Sequence, residues 1–300
     1  MRPHALPPCP RAPNTRRQGR MAWEEGGIVV GVDGSEQSIA ALSWAAVEAG
    51  RRRTDRVHAF VINDFPAQDD QAWKMLETIA GRVRADNPSI TISEVVTRGR
   101  PAAALIDMSW RTQLIVVGAR GRNTAVGTLL GSVSTKVATH AHCPVAVVRE
   151  PRTEGPVYVG VDSSPHSQDA LEFAFAAAAA RRSELVALQI WDVPGPDISI
   201  VPPLPDEIAL AEADAQRSIA EQLAGWSERY PEVSLVKAGQ RGHPVIGLTE
   251  RAREAQLLVV GHRGRGGFAG LLLGSVAAGV LQHARCPVAV VRGDKHNIRP

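Results

Sequence analysis

Lysine is nearly missing from this chain: its 300 residues hold four, Lys74, Lys136, Lys237 and Lys295. None lies in a glycine-rich segment, and no G-x-x-x-x-G-K-[ST] occurs, so the chain is not a P-loop NTPase. No G-x-G-x-x-G follows the first strand, which removes the dinucleotide-binding Rossmann reading, and the lack of G-x-S-x-G removes the common α/β-hydrolase. Cysteine is sparse. Cys9, Cys143 and Cys286 form no Cys-x-x-Cys and no His/Cys ligand cluster, so no metal site is expected, and the two later thiols read as small buried hydrophobes in a reducing cytoplasm. The longest apolar stretch, 171–180, carries Glu172 and falls short of the roughly 20 residues a membrane span needs.

Charge of one sign is also scarce once the first 20 residues are set aside. They carry five of the 34 basic side chains (Arg2, Arg11, Arg16, Arg17, Arg20) and no acid, so the remainder has 29 basic against 31 acidic groups. No basic stripe for nucleic acid is visible in the remainder. The proline-rich segment 1–27 lacks the apolar centre of a signal peptide. Two readings of it stand: a start-site artefact with the true start at Met21, or a basic arm that binds an anionic partner.

What is present is a repeat. Gly118, Gly121 and Gly131-Ser132 recur as Gly261, Gly264 and Gly274-Ser275, a G-x2-G-x9-G-S spacing 143 residues apart, each copy following an apolar run at 114–117 or 257–260. Glycine-rich turns that leave a buried strand and enter a helix bring backbone amides close enough to hold phosphates. Arg120 and Arg122 supply positive charge in the first copy, Arg263 and Arg265 in the second. Upstream, each half opens on a short apolar strand ending in Gly-Val-Asp, at Gly31 to Asp33 and Gly160 to Asp162.

Alanine-rich amphipathic patterns predict helices at 38–53 and 167–182, followed by strands at 57–62 and 185–190. Helices at 70–84 and 206–229 and third strands at 90–96 and 233–236 come next. Arg98-Gly99-Arg100-Pro101 and Arg241-Gly242-His243-Pro244 then place proline in a helix's first turn. The order is βαβαβαβαβ, twice. It predicts two tandem open parallel five-stranded sheets of order 3-2-1-4-5, with helices on both faces in a Rossmann-like α/β fold, over residues 28–150 and 156–293. The linker is 151–155 and the tail 294–300. Strands one and four are neighbours at the switch point, so Asp33 should face the Gly118 loop and Asp162 the Gly261 loop. The second half also carries a proline-rich insertion around 194–205, either a lid or a passive excursion.

Gly-Val-Asp near each domain start, Val-Val-Gly-x-x-Gly-x9-Gly-Ser and a closing Cys-Pro-Val-Ala-Val-Val-Arg, all duplicated in order, resemble the tandem-domain universal stress proteins of the ATP-binding, actinobacterial type. The resemblance covers residues 28 to about 293. It implies ATP, with or without Mg, in each crevice, and a cytoplasmic protein. In the first half it places Gly31, Asp33, Ile62, Val117, Gly118, Arg120, Gly121, Arg122, Gly131, Ser132, Val133 and Ser134 around the nucleotide. In the second it places Gly160, Asp162, Ile190, Val260, Gly261, Arg263, Gly264, Arg265, Gly266, Gly267, Gly274, Ser275 and Val276. The aspartates would meet the ribose, backbone at Ile62 and Ile190 the adenine, and the loops the phosphates. Pairing through the last strands, 145–148 and 288–291, is implied within a chain or in a homodimer.

The two copies differ. Asn123-Thr124-Ala125 stands where the second copy has Gly266-Gly267-Phe268, and β-branched Thr124 resists the left-handed backbone that glycine enters freely. Weaker or differently posed nucleotide is therefore expected in the first half. Ala277 in turn lacks the hydroxyl that Ser134 offers as a phosphate donor. His262, the only titratable group besides arginine in a loop, is expected to face solvent, with no third group to orient it as a base. Without a loop lysine, fast phosphoryl transfer lacks its usual stabiliser. An ATP-binding regulator is the leading reading. A slow ATPase or autokinase and a nucleotide-free dimerisation module are the alternatives.

Overall fold

A computed structural model describes residues 26–63, 68–122, 129–192, 204–265 and 272–293. The basic leader with Cys9, the Asn123-Thr124-Ala125 and Gly266-Gly267-Phe268 segments, most of the proline-rich insertion and the tail lie outside the described residues.

In the first half, strands β1 (Ile28–Gly31), β2 (Arg56–Asn63), β3 (Thr91–Arg98), β4 (Leu114–Gly118) and β5 (Val145–Val148) alternate with helices α1 (Glu36–Arg51), α2 (Asp69–Asp86), α3 (Pro101–Met108) and α4 (Ser132–His140). The second half repeats this. Its strands are β6 (Val157–Gly160), β7 (Leu185–Trp191), β8 (Leu235–Arg241), β9 (Leu257–Gly261) and β10 (Val288–Val291). Its helices are α5 (Pro165–Arg181), α6 (Pro205–Gln222), the one-turn α7 (Trp226–Arg229), α8 (Pro244–Arg251) and α9 (Ser275–His283).

Each half has the expected 3-2-1-4-5 order and parallel pairing. They are not two separate sheets, however. β5 and β10 pair antiparallel, Ala146 opposite Ala289, and fuse the halves into one ten-stranded sheet. The apolar edges Val-Ala-Val-Val thus cover each other inside one chain, which answers the exposed-edge problem directly.

Side chains alternate across the strands: Ile28, Val30, Leu114 and Val116 join a core under α1, α2, α5 and α6, while Val29, Ile115 and Val117 join another under α3, α4, α8 and α9. The first core is continuous across the seam. There Glu48 of α1, 1% exposed, accepts from Arg52 at 2.7 Å and from the fully buried Arg181 of α5 at 2.6 Å. Arg52 also lies over the Phe173 ring at 4.6 Å.

Two boundaries depart from the sequence pattern. The helix expected over 206–229 breaks, because Gly225 takes φ +78 and caps α7 in the left-handed region. The third strands begin later and run further, to Arg98 and Arg241, because hydrogen-bonded pairing with β2 and β7 carries their polar ends along.

Candidate functional site

β1 and β4 pair in register, Gly31 beside Val117, so the chain leaving each strand meets the other at the sheet's carboxyl edge. Asp33 lies there. Its Oδ1 accepts from the Ser35 amide at 3.0 Å and its Oδ2 from the Arg122 amide at 2.8 Å. The carboxylate therefore ties the start of α1 to the glycine loop. Burial pushes its pKa up, but hydrogen bonds from Ser35, Arg122 and Ser38 outweigh that and hold it below its ordinary 3.8.

The glycines are needed for close approach rather than for turning. Neither Gly118 nor Gly121 has a positive φ, so the backbone conformation alone does not demand glycine at either position. A β-carbon at Gly118 would stand 2.8 to 3.0 Å from backbone atoms of Gln37 and Ser38, and one at Gly121 2.5 Å from Asp33 Oδ2. The Arg120 amide donates to Gln37 Oε1 at 2.6 Å, a further clasp between loop and α1.

Gly131, extended at φ −71 and ψ 154, caps α4 with no side-chain hydrogen bond. The amides of Ser132, Val133 and Ser134 occupy the first turn, where a helix leaves its N–H groups without intrahelical partners and concentrates positive potential. Every first-half residue named from the resemblance lines one cavity of about 1080 Å³, with the exposed Arg120 and Arg122 at its rim. One role is corrected. The Ser134 hydroxyl is buried and donates to the Gly118 carbonyl at 2.6 Å, so it braces α4 against β4 and is not offered to a phosphate.

The second half repeats the latch more tightly. Asp162 Oδ1 accepts from the Ser164 amide at 3.1 Å and the Ser164 and Ser167 hydroxyls at 2.6 and 2.7 Å, while Oδ2 accepts from the Arg265 amide at 2.8 Å. Burial again raises its pKa and these bonds outweigh it. A β-carbon at Gly264 would collide with that same carboxylate. Gly274 caps α9 as Gly131 caps α4, opening the amides of Ser275 and Val276. Ala277, where Ser134 stands in the first half, costs a brace and not a phosphate donor. Gly160, Ile190, Val260, Gly261 and Arg263 sit at the carboxyl edge of β6, β7 and β9, as in the first half. Gly266 and Gly267 lie outside the described residues.

The turn after each aspartate needs a left-handed residue. Gly34 supplies it at φ +82, whereas Ser163 adopts φ +62 at some strain. It is held there by Gln222 Oε1, which accepts its amide at 3.0 Å, and by a short contact to the Ser218 hydroxyl, both from α6.

His262 does not face solvent. It is 5% exposed, edge-on to the His166 ring at a centroid distance of 4.4 Å, with Nδ1 unpartnered. Burial first, then the charges of Arg292, His166 and Arg263, push its pKa down to about 4, so it is neutral at pH 7. The first half has Ala119 and Gln37 at these two places. Cys143 and Cys286 are buried thiols with pKa raised by burial to about 12, as small hydrophobes would be. Among the described residues no three His, Cys, Asp or Glu side chains gather as metal ligands, and no helix is long and apolar enough to cross a membrane.

The sequence missed the cavity's third wall. Gln71, Ala72 and Met75 of α2 line it, with Leu105 of α3 below. The clue was available in Gly34, whose absent β-carbon leaves room for the Met75 sulfur.

The universal stress protein family model matches residues 27–149 and 155–292. A universal stress protein of Mycolicibacterium smegmatis is 39% identical over 291 residues, 89% of this chain and 97% of its own length. One from Mycobacterium tuberculosis strain H37Rv is 39% identical over 297 residues, 89% of this chain and 96% of that protein. Among solved structures, a universal stress protein from Archaeoglobus fulgidus shares the fold at TM-score 0.64 and 18% identity, over 90% of this chain and 97% of that one. With both halves matched and such relatives spanning nearly its whole length, the chain belongs to the universal stress protein family.

Proposed function

We propose that each half binds an adenine nucleotide, ATP with or without Mg, and that the protein acts in the cytoplasm as a nucleotide-dependent regulator in stress or growth arrest. The observation that carries this reading is the convergence of Asp33, the glycine loop and the open amides of α4 on one cavity of about 1080 Å³. Its donor set suits a phosphate chain: first-turn amides at Ser132 to Ser134 with Arg120 and Arg122 beside them. Ile62, Met75 and Leu105 give the same cavity an apolar wall for a base. Magnesium would arrive with the phosphates, since the oxygens of Asp33 and Asp162 already accept loop amides.

Binding rather than turnover fits the side chains. The described loop residues include no lysine, His262 is buried and neutral, and the Asp33 and Asp162 carboxylates are held to loop amides with lowered pKa, so among the described residues no group beside the loop is poised as a base. The test is to denature purified protein and identify the released nucleotide by mass spectrometry, before and after soaking with ATP. Adenine nucleotide at up to two per chain is expected, reduced by Gly131→Trp and by Gly274→Trp. Protein that holds none even after soaking refutes the reading. Phosphate release above a no-protein control that falls with Asp162→Ala would replace regulation with slow hydrolysis.

A further inference from the structure

We propose that the two nucleotide sites are coupled through a reciprocal pair of arginines, Arg149 and Arg292, so that filling one site changes the affinity of the other. The proposal rests on the nucleotide binding read above. Arg149 follows β5, and its guanidinium reaches in two directions. It donates to the Leu129 carbonyl at 2.7 Å, in the loop that feeds α4 of its own half. It also donates to Gln282 and Ala284 at 2.9 Å and to Leu281 at 3.1 Å, the last carbonyls of α9 in the other half.

Arg292 follows β10, 143 residues on, and does the same in reverse. It donates to the Leu272 carbonyl at 3.4 Å in the loop that feeds α9, and to Thr139 at 2.6 Å in the last turn of α4. The carbonyl partners keep the repeat offset too, Leu129 with Leu272 and Thr139 with Gln282. Each arginine thus grips one half's phosphate loop and the far end of the other half's phosphate helix.

The links close a ring. Phosphates at the amino end of α4 act on a nine-residue helix whose carboxyl end Arg292 holds, and Arg292 holds the loop leading into α9. From α9 the path returns through Arg149 to Leu129. A guanidinium at a helix's carboxyl end and a phosphate at its amino end load the same dipole, and a short helix moves as a unit. Arg149 is electrostatically close to the site as well: burial, then the neighbouring Arg120 charge, lowers its pKa. A phosphate that neutralises Arg120 therefore changes the field at Arg149. The plainer alternative is that both arginines only glue the β5–β10 seam.

Coupling has a readout that glue lacks. Full-length wild type, a chain with Gly264→Val to silence the second site and a chain with Gly121→Val to silence the first are titrated with radiolabelled ATP by equilibrium dialysis. If the sites are independent, the wild-type binding polynomial equals the product of the two single-site ones. Coupling predicts that the doubly filled term departs from that product by about fivefold or more. Arg149→Met with Arg292→Met, carried through the same three chains, restores the product while two ATP still bind. Arg149→Lys with Arg292→Lys does so as well should the first pair fail to fold, since an ammonium cannot span both sets of carbonyls as a planar fork does. A wild-type isotherm that equals the product, or a departure that survives in folded arginine variants, overturns the proposal. No ATP bound to any chain removes the nucleotide reading itself, and coupling with it.

Discussion

Gly121→Ala and Gly118→Ala look equivalent in the sequence and should behave differently, because their missing β-carbons face different neighbours. At Gly121 the nearest atom would be Asp33 Oδ2 at 2.5 Å, against the 3.4 Å at which ordinary contact begins. A carboxylate and an exposed loop can give way, but only by stretching the 2.8 Å bond from the Arg122 amide. A hydrogen bond to a charged acceptor is worth about 1.5–3 kcal/mol, and exposure of Arg122 puts this one at the lower end; stretched and not broken, it costs the free protein only part of that, while displacement of the loop amides it positions should lower ATP affinity about tenfold. Global stability should fall by less than about 1 kcal/mol, since neither glycine has a positive φ to strain. At Gly118 the obstacles at 2.8 to 3.0 Å are backbone atoms of Gln37 and Ser38, which cannot move unless α1 moves. Overpacking of that kind costs about 1–3 kcal/mol, and stability and binding should fall together. Both substitutions would be made in a chain carrying Gly264→Val, so that only the first site reports. Urea denaturation gives stability and ATP titration gives affinity. A Gly121→Ala chain as destabilised as Gly118→Ala, or one that binds ATP as tightly as its parent, would refute the assignment of Gly121 to the latch.

Two further substitutions test the seam and the acid limb. Glu48→Ala leaves the buried Arg181 and its neighbour Arg52 without their carboxylate and should cost about 3–5 kcal/mol in urea denaturation; a loss under 1 kcal/mol would mean that water reaches the pair. His262 has a folded pKa near 4 against an ordinary 6.5, so between those values the unfolded chain takes the proton first. Its contribution is full above pH 6.5, is lost as pH falls toward 4, and is flat below. His262→Ala should therefore shrink the drop in melting temperature between pH 7.5 and 5, though not abolish it, because buried His58 is also shifted down. Equal drops in both proteins would show that His262 is not buried neutral.

The fold was legible because the repeat reported it twice. Strand-terminal Asp33 and Asp162, glycine spacing and apolar runs of strand length all agreed, and agreement between levels is what lets a pattern specify a sheet order. The lining of the first-half cavity was legible for the same reason: the residues named cluster in four short segments, 31–33, 62, 117–122 and 131–134, that the switch point brings together. What failed were inferences about single side chains. Ser134 carries a hydroxyl at a helix's amino end, where a phosphate donor belongs, yet the Gly118 carbonyl is nearer and takes it. Gly225 read as one more helix residue because a lone glycine is tolerated in helices, and only the packing of Trp226 and Tyr230 on Phe175 requires the turn there.

His262 and the seam arginines were hidden for another reason, which is that their environments are built by the other half or by a distant element. No local pattern shows that His262 will lie against His166, or that Arg292 from β10 will add its charge nearby. The repeat itself held the missing signal. Where the two copies agree, at Arg149 and Arg292, a surface arginine after an edge strand is doing the same job twice, and a symmetric job between antiparallel edges is by geometry an exchange across the seam. Where they disagree, at Gln37 and His166 or Ala119 and His262, one half has exchanged a loop-to-helix clasp at 2.6 Å for a packed pair of rings. Beyond the aspartate latch that both loops share, the first loop is thus tied by a hydrogen bond that pH leaves alone, and the second by aromatic packing that protonation opposes. Acid should then loosen the second site before the first, so two sites read as copies in the sequence respond to different conditions in the folded chain.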